Sequence, residues 1–566
     1  MSVRIGSVYT DLVIPSIASA LRSAAVQPAS YIVFTDGSKY YAKNGSTGVI
    51  EYSDTDASNV INYAVEKTKG LVFVRYGVYE IKKSINLKSN VKLVSEKAVL
   101  KAVGSSFDVI RIVGGSDNPV TDVEVRGFEI DLNNLDNGSG VVVSWARRVK
   151  IAELHIHDET NDSSRPAIGG IVIGAYGSKT NYMNYDIWVV NNYVKMRGVR
   201  KSPPIQIYDT QRYFEYGNVW WGSDPDVTQR ADFVGLHQVG NIRDAIIRGN
   251  YFYRGHHNAM FFIDSSSSGL HSENVVIADN IFVEPEDDHI DANYDSKFVI
   301  AGNIFIHGPA SLGWITPEDN CEDFVITGNY FFGPGYVAVV SSRRVTISGN
   351  VFYNTRRAVN QIWIRDSNDI TITGNTMYMF LGVKVWGASK NIVVSSNRIA
   401  VPAYDDAPLI VSDSTDRVLL IGNVIDVLDG SWCSIFEVQS STAKNIYALW
   451  NLRGTSGRIY GPRLRTDLDP NINPANQNII ANVLENPLLE YPRALTKNSG
   501  VATISAGSTR VTVSHSLRQA PSKVLITPLA SPPGKLWVEN ITSTSFDIVT
   551  DTAPASDLKV SWYTEV

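Results

Sequence analysis

Between Arg248 and Asn451 apolar and polar residues alternate in short runs, and run after run closes on the same phrase. IIRGNYF reaches Asn250, VVIADNIF Asn280, FVIAGNIF Asn303 and FVITGNYF Asn329. VTISGNVF (Asn350), ITITGNTM (Asn375), VVSSNRI (Asn397) and LLIGNVI (Asn423) continue the series, and YALWNL (Asn451) is a faded copy. Alternation at period two predicts a strand with one buried face. The steps between asparagines are 30, 23, 26, 21, 25, 22, 26 and 28 residues. A constant phrase with spacers of variable length predicts stacked units that bury their faces only against each other. No helical pattern separates the strands, which excludes a βαβ sheet. The steps are shorter than the 40–50 residues of a propeller blade. Gly-Asn marks a turn, and asparagines recurring at one place can stack as an amide ladder. A right-handed parallel β-helix satisfies all of these conditions.

The flanking segments read differently. Pro15-Ser16 opens a predicted helix over Ile17–Ala25. Asp36-Gly37 and Asn44-Gly45 punctuate short strands between Tyr31 and Tyr52. Asp56 is a predicted N-cap for a short helix lined by Val60, Ile61, Ala64 and Val65 and ending at Gly70. A solenoid's open end needs a cap, and this helix is the candidate. Further coils run to Asn134, Asp158 and Met196. Between Ile207 and Asp232 the stretch YDTQRYFEYGNVWWGSDPDVTQR interrupts the ladder as a predicted insertion. After Asn451 the phrase fades into a closing coil and linker over 455–495. From Gly500 alternating strands at meander spacing predict a small β-sandwich for assembly or attachment. The expected domains are 1–53, 54–487 and 500–566.

Composition narrows the classes. Charged residues make up 19% of the chain, and Gly at 42 and Tyr at 27 are abundant, as strand-and-turn architecture requires. A net charge of −6 supplies no basic field for nucleic acid. Cys321 and Cys433 have no metal or disulfide spacing and read as coil residues. No apolar run is long enough to span a membrane. The first 25 residues lack the basic and uninterrupted apolar regions of a secretory signal. The expected setting is extracellular or on a virion.

D-A-S-N-V-I-N-Y-A-V from Asp56, K-G-L-V-F-V-R-Y-G-V-Y-E-I from Lys69 and S-N-V-K-L-V-S from Ser89 resemble the opening coils of the pectate-lyase-like superfamily of right-handed β-helix proteins. The resemblance covers residues 54–454. It implies the fold and a polysaccharide partner, since the superfamily includes polysaccharide lyases, polygalacturonase-type hydrolases, disaggregatase-type glycosidases and phage tailspikes. Tailspike likeness also allows a homotrimer.

Three successive runs are the most polar: ADFVGLHQVGN, RGHHNAMFFID and EPEDDHIDANYD. Aligning Val234/Leu236 with Ala259/Phe261 and Ile290/Ala292 as inward positions puts His237, His289, Asp291 and Asn293 outward. His256 and His257 then fall level with Asp287 and Asp288. Strands stack about 4.7–4.9 Å apart, so these groups share one wall. Crowded carboxylates repel, which raises the pKa of one while another stays ionised, and hydrolysis of a glycosidic bond needs that pair. Asp288 and Asp291 are the expected pair, with Asp287 as substitute and His257 and His289 orienting or tuning them. His237, His256 and Asn293 would hold substrate, as would Trp314, Glu318 and Asp319 on the next run and Trp220 and Trp221 of the insertion. G-H-H-N-A and D-D-H-I-D resemble motifs of disaggregatase-like glycosidases. The full polygalacturonase motif set is absent, which counts against a uronic acid substrate. The same Asp and His residues could instead be turn formers.

The resulting expectation is a polysaccharide-degrading glycoside hydrolase that requires no cofactor. A lyase would need a base to take a sugar C5 proton and Ca2+ on carboxylates such as Glu286, Asp287, Asp288 and Asp291. Its candidate bases, Arg254, Lys384 and Arg343/Arg344, do not converge on them in the sequence alignment. A non-catalytic glycan-binding spike is the third alternative.

Overall fold

In the coil that begins at Glu273, the strand Glu273–Ala278 turns at Asp279-Asn280 into Ile281–Val283. A loop leads to Ile290–Asn293, and a tight turn returns the chain to Ser296–Ala301. Each strand pairs in parallel with its counterparts in the neighbouring coils, as in Val275↔Phe298↔Phe324 and Ile290↔Ile315. Repetition builds three parallel sheets. The first holds the six-residue strands, the second the short strands after each asparagine, and the third the strands that follow the variable loop. The computed structural model describes residues 29–566 except 134, 136, 159–168, 175–182, 197–202, 223–235, 256–257, 263–270, 309–312, 355–360, 379–381, 402–406, 429–431, 454–457, 461, 467, 474–476, 484–496 and 518.

The period-two alternation becomes an apolar interior. Val275, Ile277, Phe282, Ile290 and Ala292 are all fully buried. Phe252, Phe282, Phe305, Phe331 and Phe352 stack at successive centroid distances of 4.6, 4.9, 4.9 and 4.7 Å. These distances match the strand spacing of a sheet, so backbone pairing and ring stacking share one repeat.

The Gly-Asn turn divides its labour. The residue before each ladder asparagine adopts left-handed backbone: φ is 66° at Gly249 and Gly302 and 64° at Gly328 and Gly349. Asp279 and Ser396 take the same position at 54°. The asparagine itself bonds along the stack. Asn280 Nδ2 donates to Asn303 Oδ1 at 3.0 Å and to the Ile247 carbonyl at 3.0 Å, while its backbone amide donates to the same Asn303 oxygen at 2.9 Å. The pattern runs without a break from Asn192 through Asn218, Asn250 and onward to Asn451.

Asn218 corrects the expected interruption. Ile205–Tyr216 and Val219–Trp221 are regular strands joined by Gly217-Asn218. The phrase is disguised because an inward position carries Glu215. That carboxylate accepts from Tyr213 Oη at 2.8 Å, Trp220 Nε1 at 2.7 Å and His237 Nε2 at 2.6 Å, and all four side chains are fully buried. Residues 223–235, the remainder of the expected insertion, lie outside the described residues.

At the start of the coil, strands Tyr31–Thr35, Tyr40–Asn44 and Ile50–Asp54 pair antiparallel. Helix α1, Ala57–Lys67, follows, with the Asp56 carboxylate accepting from the Ser58 amide at 2.9 Å. Val60, Ile61, Ala64 and Val65 are buried as expected. The helix stops at Lys67, before Gly70. The helix expected over 17–25 lies outside the described residues. Coil strands persist to Ile479–Val483, beyond the expected fading at Asn451. The last strands, from Lys497–Ile504 to Leu558–Glu565, form two three-stranded antiparallel sheets around a separate core that includes Phe546, Ile548, Val560 and Trp562. Both cysteines are buried. Among the described residues no helix is long and apolar enough to cross a membrane.

Asn329→Ala strips the acceptor from the Asn303 amide and side chain and the donor from the Ile300 carbonyl, all buried. Unsatisfied buried groups cost about 1–3 kcal/mol each. Urea denaturation should show a loss of at least about 2 kcal/mol. A variant as stable as the parent would show that the ladder is incidental.

Candidate active site

The third sheet carries a polar hollow on its outer face. Ile290 and Ala292 point inward, so the alternation turns Asp291 and Asn293 outward. The register sets Asp291 beside Phe261 on one side and Thr316 on the other, and Asn293 beside Glu318. Asp288 belongs to the turn before this strand. Its Oδ2 accepts the Thr316 hydroxyl at 2.8 Å, and its backbone amide donates to Asn258 Oδ1 at 3.1 Å. Asn258 Nδ2 donates to Asp291 Oδ2 at 3.2 Å, and Asn293 Nδ2 donates to Asp291 Oδ1 at 3.1 Å. Asn258 therefore bridges the two acidic residues, each only 8% exposed.

Electrostatics follow from this placement. Burial, then the charge of Asp287, pushes Asp288 up to about 7. Burial, then the charge of Asp288, pushes Asp291 up to about 8. Among the described residues no Lys, Arg or His forms an ion pair with either. Thr316 opposes the rise at Asp288 by bonding its charged form, and Asn258 does the same at Asp291. Glu318 is also raised, by burial and by the charges of Asp319 and Asp287. Tyr336, one coil further, is raised by its burial and by the negative charge of Asp288, Asp287, Glu318 and Asp291 together. Its ring stacks on Trp363 at 4.6 Å and 5°. Among the described residues no three His, Cys, Asp or Glu side chains are grouped to hold a metal ion.

Asp287, Asp288, Asp291, Asn293 and Glu318 thus meet on one wall, and Asp319 is exposed in the turn that follows it. His256 and His257 lie outside the described residues. Four expected residues face the other way. His237 is inward because the register pairs His237 with Met260 and Ile290, so the alignment on Leu236, Ala259 and Phe261 is off by one. A one-residue slip exchanges the two faces of a strand. His289 precedes the strand, where alternation no longer applies. Its ring is fully buried, with Nδ1 against the Gly313 carbonyl and Nε2 against the Ile306 carbonyl, both at 3.1 Å. Burial and the neighbouring His307 lower it to about 3, so it is neutral. Trp220 and Trp314 are fully buried in the coil interior and have no face for a sugar. Trp221 is on the outside of the second sheet, tilted against Tyr253 at 4.4 Å, away from the third-sheet wall.

Asn258, Thr316, Tyr336, Trp363 and Gly313 escaped the sequence reading. Asn258 was visible within G-H-H-N-A. The others align with Asp288 and Asp291 only through the third-sheet register. The loops before Ile290, Ile315 and Val337 differ in length, which hides that register from counting. A Cβ on Gly313 would lie 2.0 Å from Asp288 Oδ1, so this glycine admits the carboxylate.

A family model described as "Right handed beta helix region" matches residues 234–399. No curated protein matches the sequence. Among solved structures, the Pseudomonas phage phi297 tailspike is 10% identical with a TM-score of 0.42, over 89% of this chain and 91% of its own. A mutant tailspike of E. coli bacteriophage HK620, in complex with pentasaccharide, is 12% identical at 0.43, over 90% and 88%. The Yersinia enterocolitica family 28 exopolygalacturonase is 10% identical at 0.36, over 75% and 83%. Likeness this distant bears on neither substrate nor reaction.

The raised carboxylates link stability to pH. Unfolded Asp titrates near 3.9, so between about pH 4 and 8 the folded state binds more protons than the unfolded state, and stability falls as pH rises. Asp291→Asn should therefore raise the melting midpoint at pH 8.5 and leave it unchanged near pH 4. Equal effects at both values would contradict the assignment.

Proposed function

We propose that this right-handed parallel β-helix protein is a glycoside hydrolase acting on a polysaccharide through Asp288 and Asp291. One observation carries the reading: two buried acids, bridged by Asn258 from the Asp288 backbone amide to the Asp291 carboxylate and paired with no cation among the described residues, so that one retains a proton near neutrality. Structural acids on a coil surface are normally solvated or ion-paired, as Asp122 is with Arg148 and Asp323 with Arg344. Two uncompensated carboxylates are costly to bury, and such sites concentrate where acid–base chemistry is done.

In this mechanism Asp291, which faces outward from its strand, is the general acid. Its proton passes to the glycosidic oxygen as the bond from that oxygen to the anomeric carbon breaks. Asp288, whose charged form accepts the Thr316 hydroxyl, is the partner. It either takes a proton from the water that attacks the anomeric carbon or attacks that carbon itself before water releases the sugar. Either route adds one water across one glycosidic bond. Tyr336 and Trp363 offer a ring face beside the acids. Asn293 and Glu318 stand within the same wall to bond sugar hydroxyls.

The lyase alternative lacks a base beside the acids among the described residues, since Lys384 is four strands along the third sheet from Asp291 with its ammonium over the Trp386 ring. Arg254 pairs with Glu284 at 3.0 Å, and Arg343 and Arg344 pair with Glu322.

Digestion of a glycan panel with the unmodified protein, Asp288→Asn and Asp291→Asn tests the reading. New reducing ends should appear with the unmodified protein, and each variant should lower kcat by about 10²–10⁴-fold. Unsaturated uronate products would replace hydrolysis with elimination, and full activity in both variants would move the chemistry elsewhere. Because the active form holds one proton between the two acids, kcat/KM should follow a narrow bell. It should fall below about pH 7 as both become protonated and above about pH 8 as both ionise.

A further inference from the structure

Around the corner from the acids, where the third sheet turns into the first, runs a second groove of about 530 Å³. None of the acids just described lines it. It begins at His271 and Tyr294, passes Asn320 and Ser341, and ends at Asn368. Its floor follows the register Ser296↔Glu322↔Arg343↔Asn368 across neighbouring strands of the first sheet, and His271 extends it onto the preceding coil. Four strand spacings make it roughly 19 Å long, parallel to the coil axis. It adjoins the acid wall through the chain itself, since Asn293 leads into Tyr294 and Glu318 leads through Asp319 to Asn320.

Tyr294 puts an aromatic ring at this corner, as Trp145 does in an earlier coil at φ 51°. The residue that leaves each third-sheet strand adopts left-handed backbone: φ is 62° at Tyr294, 51° at Asp319, 49° at Ser341, 50° at Asp366 and 65° at Gly387. Asp, Ser and Gly are small residues suited to that corner, and Asp and Gly are frequent in such backbone. A bulky aromatic is an outlier there. Strain of this kind persists where the side chain serves a purpose. The Tyr294 ring lies nearly parallel to the His271 ring, with centroids 6.0 Å apart and planes at 24°, and together they wall one end of the groove.

We propose that this groove binds a stretch of about four sugar units of the glycan, with Tyr294 as the stacking platform. The proposal rests on the polysaccharide reading of the acid wall and specifies the class of chain. A pyranose advances by about one coil spacing per unit, so the groove repeats at the period of its ligand. Asn320, Ser341 and Asn368 present amides and a hydroxyl to sugar hydroxyls. Each Glu, Asp and Arg that lines the groove is paired: Glu322 with Arg343 and Arg344, and Asp366 with Arg365. With these charges paired, the lining offers no unpaired Lys or Arg to a carboxylate or sulfate, so the bound stretch is neutral and hydroxyl-rich.

The test uses the full-length protein carrying Asp291→Asn, so that bound glycans persist, on an array of neutral and acidic oligosaccharides of increasing length. Neutral chains of about four or more units should bind. Adding Tyr294→Asn should weaken binding by about tenfold or more, while the melting midpoint stays or rises because Asn tolerates the corner. Asn368→Trp, at an exposed position, fills the far end and should weaken binding of the longer chains without unfolding the coil. Undiminished binding in both variants overturns the groove. Binding confined to uronate- or sulfate-bearing chains overturns the proposed class, and no binding by the folded protein overturns both. Release of reducing ends by the unmodified protein is scored separately. Hydrolysis whose KM ignores Tyr294 and Asn368 would sink the groove and leave the hydrolase standing.

Discussion

At each turn between the first and second sheets, the backbone reverses inside the molecule, where water cannot satisfy its polar groups. From Asn192 to Asn451 the same side chain meets this need, giving its amide hydrogens to the next asparagine and to a carbonyl of a flanking coil. An unmade bond at such a site costs about 1–3 kcal/mol. The ladder therefore makes each coil's turn depend on the next coil's turn. Loops can then vary in length elsewhere, because one corner of every coil is held in a fixed place by its neighbours. The phenylalanine stack has the same repeat and the same dependence.

That rigidity makes the acid wall affordable. Asp288 and Asp291 sit almost fully buried without a cation among the described residues, a condition that a mobile loop would relieve by exposing them to water. The strand Ile290–Asn293 cannot yield, because Ile290 and Ala292 are locked in the core on the opposite face. Asn258, Thr316 and Asn293 arrive from this and the adjacent coils and hold the carboxylates at fixed positions. Repulsion between the acids is thus retained as a proton affinity near neutrality rather than lost in a rearrangement.

A second buried carboxylate shows the opposite solution. Glu215 lies in the coil interior, but Tyr213, Trp220 and His237 all donate to it. Fully bonded, it serves as a structural element, and its surroundings contain no open face for a ligand. The contrast separates the two kinds of polar residue that look alike in the sequence. His237 and Trp220 pack the core around Glu215, whereas Asp291 faces outward from a strand whose other side is apolar.

The period-two alternation and the returning asparagine were enough to specify stacked parallel coils and the amide column, because these features depend on local periodicity and on one residue type recurring. Asp56 and the apolar stripe of α1 were legible for the same reason. Asp288 and Asp291 stood out as part of the cluster of acidic residues between Glu284 and Asp291. Which residues surround them was decided by the tertiary structure alone. Inward and outward faces at His237 depend on a register that a single residue reverses, and the side of the coil that His289 joins depends on where its strand begins. Thr316, Tyr336 and Trp363 reach the acids from later coils across loops of unequal length, so no spacing along the chain encodes their approach. Tyr294 reads as an ordinary aromatic until the left-handed corner beneath it becomes visible.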